Sequence, residues 1–301
     1  VTGPAPGFRS ALRPRYTSGM QLNIRSESGP LTDLCVCRGD SIPEAEGYEN
    51  DHPEFAKYVH TGWDRDLFVR QQDRFFAEME ARGVRLHHVP ADPALPWQTY
   101  TRDTGFVVGG RLFHYEGERR LPERTGEIDR VKQALDLPAG AFVPITDGTI
   151  EGGDVLVGEG EVWVGISART SAAGAAELAR HLAGEVEVRP LQLGEQVMHL
   201  DTRMTILPGR RALIHTPTFA PDDLARLAER FTLIPVTDAE AESLGPNVFV
   251  VDPETVIVHE GHARIADEIA ATGLTPVRVD YSEPVALRGS FRCSTMPLAR
   301  G

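Results

Sequence analysis

The stretch VLVGEGEVWVGI (residues 155–166), followed by SAAGAAELARHLAG (171–184) and VEVRPLQL (186–193), decides how this chain is read. Two apolar alternating runs meet at Gly-Glu-Gly, which signals a β-hairpin. Ser171 then stands where a helix needs an N-terminal cap. Ala175, Leu178, Ala179 and Leu182 fall on one helical face, and Gly184 closes the helix before the next strand. The same pattern recurs on both sides. FVVGGRLFHY starts at Phe106, MTILPGRRALIH at Met204 and VFVVDPETVIVHE at Val248, so the hairpin starts are 49, 49 and 44 residues apart.

Each hairpin is followed by a helical pattern and a single strand. Ile128, Val131 and Leu135 precede AFVPI; Pro221, Leu224, Leu227, Ala228 and Phe231 precede FTLIPV; Ile265, Ile269 and Gly273 precede TPVRV. An earlier unit consists of LTDLCVCRG, a helix from Phe68 to Met79 ended by Gly83, and VRLHHV. Five strand-strand-helix-strand units with a period near 48 predict a repeat architecture. A doubly wound parallel sheet also alternates strands and helices, but a hairpin in the units disfavours it. Closure into a ring keeps both end repeats covered, and the final strand, SFRCSTMPL, is placed to pair near the first. The expected organisation is an arm over residues 1–22, with three Pro, three Gly, three Arg and no acidic residue, and a single catalytic domain over 23–301.

Composition narrows the function. The 301 residues carry 44 acidic and 31 basic side chains, a net charge of −13, which argues against a nucleic-acid binder because such binding rests on clustered Lys and Arg. No run approaches the roughly 18 apolar residues of a membrane helix, and the N-terminus lacks the apolar stretch of a secretory signal, so a cytoplasmic location with no membrane partner is expected. Three cysteines are too few for a disulfide framework. Cys35 and Cys37 read as buried strand residues. His87 and His88 face opposite sides of a strand, and His259 and His262 read as surface residues.

The polar residues fall in phase with the repeat. Asp103, Glu151 and His199 are successively 48 residues apart, Asp201 follows in MHLDT, and Cys293 lies 94 residues beyond His199. Equivalent places in a ring converge on its axis, so these five should share one pocket. A Cys thiolate is a strong nucleophile, and a His oriented by a carboxylate can move protons for it. Two further carboxylates suit a planar cation that offers several N–H donors. The set also contains metal-ligand types, and a Zn or Mn site is the competing reading, as is a structural role for all five.

At these residues the sequence resembles the guanidino-group-modifying superfamily of arginine deiminases, dimethylarginine dimethylaminohydrolases, agmatine deiminases and amidinotransferases. The matching pieces are TRD (101–103), EGGDVL (151–156), ISART (166–170), MHLDT (198–202) and FRCSTMPL (291–298), in family order. The resemblance implies a five-bladed α/β propeller with Cys293 as nucleophile, His199 as general acid then base, and Glu151 as partner of His199 and of the guanidinium. It implies that Asp103 and Asp201 hold the guanidinium nitrogens, and that Arg169 and Arg288 contact the substrate's far end. No metal and no cofactor are implied; the partner is a small guanidino compound, and a homodimer is the assembly considered.

Within the superfamily the HLD triplet and RCSTMPL resemble arginine deiminases, the compact core spacing resembles the dimethylargininases, and RDTG (102–105) resembles agmatine deiminases. Trp97 stands where arginine deiminases commonly carry an Asn. The expected activity is hydrolysis of arginine, or a close derivative, to a citrulline-type product and ammonia. Dimethylarginine or agmatine hydrolysis, amidino transfer to an amine, and an arginine-binding propeller without catalysis are the alternatives.

Overall fold

The computed structural model describes residues 20–42, 64–117 and 124–301. Five three-stranded sheets are present among these residues. Four follow the repeat read from the sequence: β3 (Phe106–Val108), β4 (Arg111–Tyr115) and β5 (Phe142–Ile145); β6 (Val155–Gly158), β7 (Glu161–Ile166) and β8 (Glu187–Gln192); β9 (Met204–Leu207), β10 (Arg211–Ile214) and β11 (Thr232–Pro235); β12 (Phe249–Val250), β13 (Thr255–His259) and β14 (Thr275–Val279). In each, the first two strands pair antiparallel and the third returns parallel to the second after a helix. The remaining sheet is assembled from both ends of the chain. The last strand, β15 (Met296–Arg300), pairs antiparallel with β1 (Leu31–Val36), which runs parallel to β2 (Arg85–His88). Among the described residues the first unit therefore has no hairpin of its own, and the last strand supplies the edge of its sheet.

The connecting helices are α1 (Arg65–Ala81), α2 (Glu127–Ala134), α3 (Ala172–His181), α4 (Pro221–Ala228) and α5 (Ala263–Ala271). Local chemistry sets their limits. Ser171 caps α3 by accepting the Gly174 N–H, Asp64 caps α1 by accepting that of Leu67, and Pro221 occupies the first position of α4.

The strands are apolar on both faces because each sheet is covered by a neighbour on each side. Val155, Val157, Val162 and Val164 join a cluster with β1, β3, β4 and β15, while Leu156 and Trp163 point the other way into a cluster with β9 and β10. Leu207 and Leu213 pack onward with Val250, Val256 and Val258. Phe249 and Ile257, on the opposite face of that sheet, pack with Leu34 and Val36 of β1. Apolar contact thus passes from sheet to sheet around a ring, the pseudo-fivefold propeller expected. A fully buried Val, Leu or Phe contributes roughly 1.5–3 kcal/mol.

The arm expected over residues 1–22 lies mostly outside the described residues; of its described part, Met20 and Leu22 pack with the cluster that holds Phe106 and Met296. Cys35 and Cys37 are buried in the same cluster, as expected, Cys35 within β1 and Cys37 just past its end. Among the described residues no helix is long and apolar enough to cross a membrane.

Candidate active site

The chemistry-bearing residues sit on short turns that lead into the inner strands. Asp103 lies in the helical turn Thr101–Thr104, Glu151 precedes the turn Gly152–Asp154, and His199 precedes the turn Leu200–Thr202 that contains Asp201. These turns approach so closely that side chains have no room between them. A Cβ on Gly152 would stand 2.2 Å from the Arg102 carbonyl oxygen, and one on Gly153 would stand 2.6 Å from the His199 ring. Glycine is therefore required in EGGD by the approach of neighbouring units. Asp154 ties the turns together, accepting hydrogen bonds from the Leu200 N–H at 2.8 Å and the Ser167 hydroxyl at 2.7 Å. Burial lifts its carboxyl to about 7.

The structure brings Asp103, Glu151, His199, Asp201 and Cys293 into one buried neighbourhood. His199 Nε2 is 2.7 Å from Glu151 Oε2, and its Nδ1 is 3.7 Å from Asp103 Oδ1. Burial alone would lower the imidazole, but Asp103, the hydrogen bond to Glu151 and the nearby Asp154 raise it to about 9. Burial would likewise raise Glu151, yet its hydrogen bond and attraction to His199, with Arg169 and Arg124 beyond, hold it at about 2. The pair is an imidazolium beside a carboxylate at neutral pH. Cys293 has the opposite bias: burial, then the charges of Asp201 and Asp103, push its thiol well above the usual range. Asp201 is fully buried, and its carboxylate oxygens accept no hydrogen bond among the described residues; the Arg292 Nε lies 3.5 Å away. Burial raises this carboxyl as well.

Several charged residues that the sequence reading passed over support the site. Arg124 is buried and donates to Asp103 at 2.6 Å, to Glu127 at 2.9 Å and to the Tyr100 carbonyl at 3.1 Å, so it orients Asp103. Arg292, next to Cys293, donates to buried Glu27 at 2.8 Å. Arg102 donates through Nε to the Arg292 carbonyl at 3.3 Å and through its amide to that of Cys293 at 3.2 Å. Arg102 and Arg292 flank motif residues in TRD and FRC, which was the available signal. Glu27 and Arg124 lie in segments without a motif, and their partners are distant in sequence or sit across a turn.

The Glu27–Arg292 pair yields a stability prediction. Glu27→Gln leaves a buried guanidinium without its closest carboxylate, and urea unfolding should show a loss of about 3–5 kcal/mol at neutral pH. Burial would raise Glu27, but Arg292, then Arg102 and Arg300, hold it at about 2. A depressed carboxyl stabilises the fold above its ordinary value of 4.5, and this contribution is lost as pH falls toward about 2. The difference between wild type and variant should therefore shrink with acidification; a gap that widens would contradict the assignment.

The two arginines expected at the substrate's far end are placed differently. Arg169 Nη1 lies 3.6 Å from Glu151 Oε1, beside the His199–Glu151 pair. Arg288 adopts a left-handed backbone (φ 61°) and donates to the Glu242 carbonyl at 3.3 Å, in the connection between β11 and β12. Trp97 packs with Ile42, Phe68, Val69 and Leu287 and stacks on Tyr100. The surface reading of His259 and His262 requires correction. His262 is buried, meets the Ser243 hydroxyl at 2.9 Å and packs its ring edge-on against His259, which accepts the Tyr281 N–H. The helix start at Ala263 folds His262 back under the strand end, an effect of the turn that strand position alone does not reveal.

Asp103, Glu151 and His199 place their ligand atoms within 4.8 Å of one another, a spacing that a metal ion can use. Here Nε2 of His199 is engaged by Glu151, and Arg124 and Arg169 already bring positive charge to Asp103 and Glu151. The donor set is better matched to hydrogen-bonded cations than to an added metal.

Comparison with known proteins bears on the family and the fold. The family model for arginine deiminase matches residues 141–231. An uncharacterized protein of Bacillus subtilis, YkgA, is 31% identical over 278 residues, covering 92% of this chain and 95% of its own length. The N(G),N(G)-dimethylarginine dimethylaminohydrolase of Streptomyces coelicolor is 30% identical over 241 residues, 78% of this chain and 87% of that protein. A solved structure of a Pseudomonas aeruginosa DDAH mutant complexed with citrulline shares the fold, with a TM-score of 0.73 over 89% of this chain and 99% of that chain at 19% identity.

Proposed function

Because the chain belongs to the guanidino-group-modifying superfamily, we propose that it hydrolyses the guanidinium of arginine, or of a close arginine derivative, through a covalent thiouronium at Cys293. The products are a citrulline-type ureido compound and ammonia. The observation that carries this reading is Asp201, a fully buried carboxylate accepting no hydrogen bond among the described residues, close enough to Cys293 to raise its thiol. A planar cation with paired N–H donors satisfies that carboxylate together with Asp103, and supplies the positive charge that the thiol lacks.

Binding of the guanidinium beside Cys293 favours loss of the thiol proton to solvent. The thiolate attacks the guanidinium carbon, forming the C–S bond. The His199 imidazolium gives its proton to the departing nitrogen, the C–N bond breaks, and ammonia leaves. Neutral His199 then takes a proton from water, and the hydroxide adds to the thiouronium carbon. Collapse of the adduct breaks the C–S bond and returns the thiolate, while the hydroxyl proton passes to solvent, where it protonates the released ammonia, and the ureido product forms. Glu151 holds the imidazolium in place, and Arg169, beside Glu151, is the residue proposed to meet the substrate carboxylate. Arg288 is proposed to act further out, at the substrate tail.

Two acidic acceptors favour an unsubstituted guanidinium, since methyl groups would leave a buried acceptor unpaired. The similarity to the Streptomyces coelicolor enzyme keeps dimethylarginine as the second reading. Desalted protein in a chelator, offered arginine, agmatine, methylated arginines and N-hydroxyarginine, should form citrulline and ammonia from arginine. Methylamines released faster than ammonia would favour the second reading. Loss of activity in the chelator that added metal restores would overturn the metal-free mechanism, and binding of arginine with no product from any compound would overturn the enzymatic one.

A further inference from the structure

We propose that Asn247 is a further catalytic residue, whose side-chain amide donates to the reacting sulfur of Cys293 and holds it in register with Asp201; the proposal rests on reading Cys293 as the nucleophile. Asn247 lies 48 residues beyond His199, so Asp103, Glu151, His199 and Asn247 form an unbroken series at the repeat period. It is buried two residues before β12, on the approach to its unit's first strand, as Glu151 and His199 lie four and five residues before β6 and β9. The phase that gathers the other residues at the axis brings this amide there too.

Its hydrogen bonds define one orientation. Oδ1 accepts the backbone N–H of Arg292 at 2.9 Å, and Nδ2 donates to the Asp201 carbonyl at 3.0 Å. An amide turned over would set oxygen against a carbonyl and NH2 against an N–H, so the assignment follows from the partners. The same Nδ2 reaches Cys293 Sγ at 3.5 Å. One side chain therefore joins the residue preceding the nucleophile, the backbone of the guanidinium-binding Asp201 and the sulfur itself.

A hydrogen bond donated to a thiolate is charge-assisted and stronger than one to a thiol, so this contact favours the anion. The groups around Cys293 divide. Asp201 and Asp103 oppose negative charge on the sulfur, while a backbone hydrogen bond at Ser290 and the guanidinium groups of Arg102 and Arg292 favour it. Asn247 is a neutral donor that touches the sulfur, which lets it stabilise the thiolate without repelling a cationic substrate.

The test is the pH dependence of Cys293 alkylation by iodoacetamide, followed on the peptide that contains Cys293, in wild type and Asn247→Ala. The alanine variant should reach half its maximal rate about one pH unit higher and react about tenfold more slowly below that point. Its thermal transition, measured alongside, separates a general loss of structure from a change at the sulfur. If Asn247→Ala does not fold, Asn247→Asp carries the test, because it keeps an acceptor for the Arg292 amide while replacing the donor near sulfur by a carboxylate; its profile should move upward further. A folded variant with an unmoved profile overturns the role of Asn247. Since alkylation needs no substrate, an inactive wild type would overturn the proposed function while leaving this measurement decisive for Asn247.

Discussion

Cys293→Ser should lose activity on arginine by at least about a thousandfold, with the protein still folded. The substitution keeps the volume of a side chain buried between the turns at the ring axis, so packing is preserved. What changes is the atom. A serine hydroxyl in the same surroundings, with Asp201 and Asp103 opposing negative charge, is far harder to ionise than a thiol, and His199 is already an imidazolium and cannot take its proton. Binding should survive, because the carboxylates proposed to hold the guanidinium are untouched. The measurement is citrulline formation together with arginine binding by calorimetry. Full turnover in the serine variant would remove sulfur from the mechanism.

Glu151→Gln should lower kcat about 100- to 1000-fold at pH 8, with partial recovery toward pH 6. The sign follows from His199. In the wild type, Asp103 and Glu151 outweigh burial and raise the imidazole to about 9, so the proton needed by the departing nitrogen is present across the neutral range and is lost as pH rises through about 9. Glutamine keeps the shape but removes a charge and the charge-assisted hydrogen bond, so His199 falls back toward its ordinary value and is neutral at pH 8. Stability should follow the same direction. A raised imidazole stabilises the fold fully below 6.5 and loses this contribution as pH climbs to about 9, while the depressed Glu151 contributes fully above 4.5 and loses its share as pH falls toward about 2, so in unfolding experiments the variant should differ most from wild type between 4.5 and 6.5. A pH profile that does not move would show that Glu151 does not set the charge of His199.

The ring was legible in the sequence because its strands are apolar on both faces and punctuated by turn residues at a near-constant period. Val155 to Val164 illustrates this: alternate residues serve two different interfaces, so the run is continuous where a half-exposed strand would alternate. The first unit was legible in part: the final stretch was expected to pair near the first strand, and Met296–Arg300 does so, but no hairpin marks this unit because the strand antiparallel to Leu31–Val36 comes from the far end of the chain. The core of the site was legible because Asp103, Glu151 and His199 keep the same phase as the apolar residues. Asn247 has that phase as well, yet an asparagine before a strand looks like turn chemistry until its amide is seen against sulfur. The charged residues behind the site were hidden for a physical reason. Glu27 and Arg292 meet across 265 residues, and a buried ion pair leaves no periodic trace. His262 was misjudged because a strand-end histidine is exposed only if the following helix does not cover it.

The central claim is that the sulfur of Cys293 bonds to the guanidinium carbon during turnover. Wild-type protein quenched in acid while it consumes arginine, then weighed intact and mapped by proteolysis, tests it most directly. The expected result is a population heavier by arginine less ammonia, with the added mass on the peptide that carries Cys293. An unmodified chain throughout demonstrated turnover, or the mass on another residue, would contradict the account.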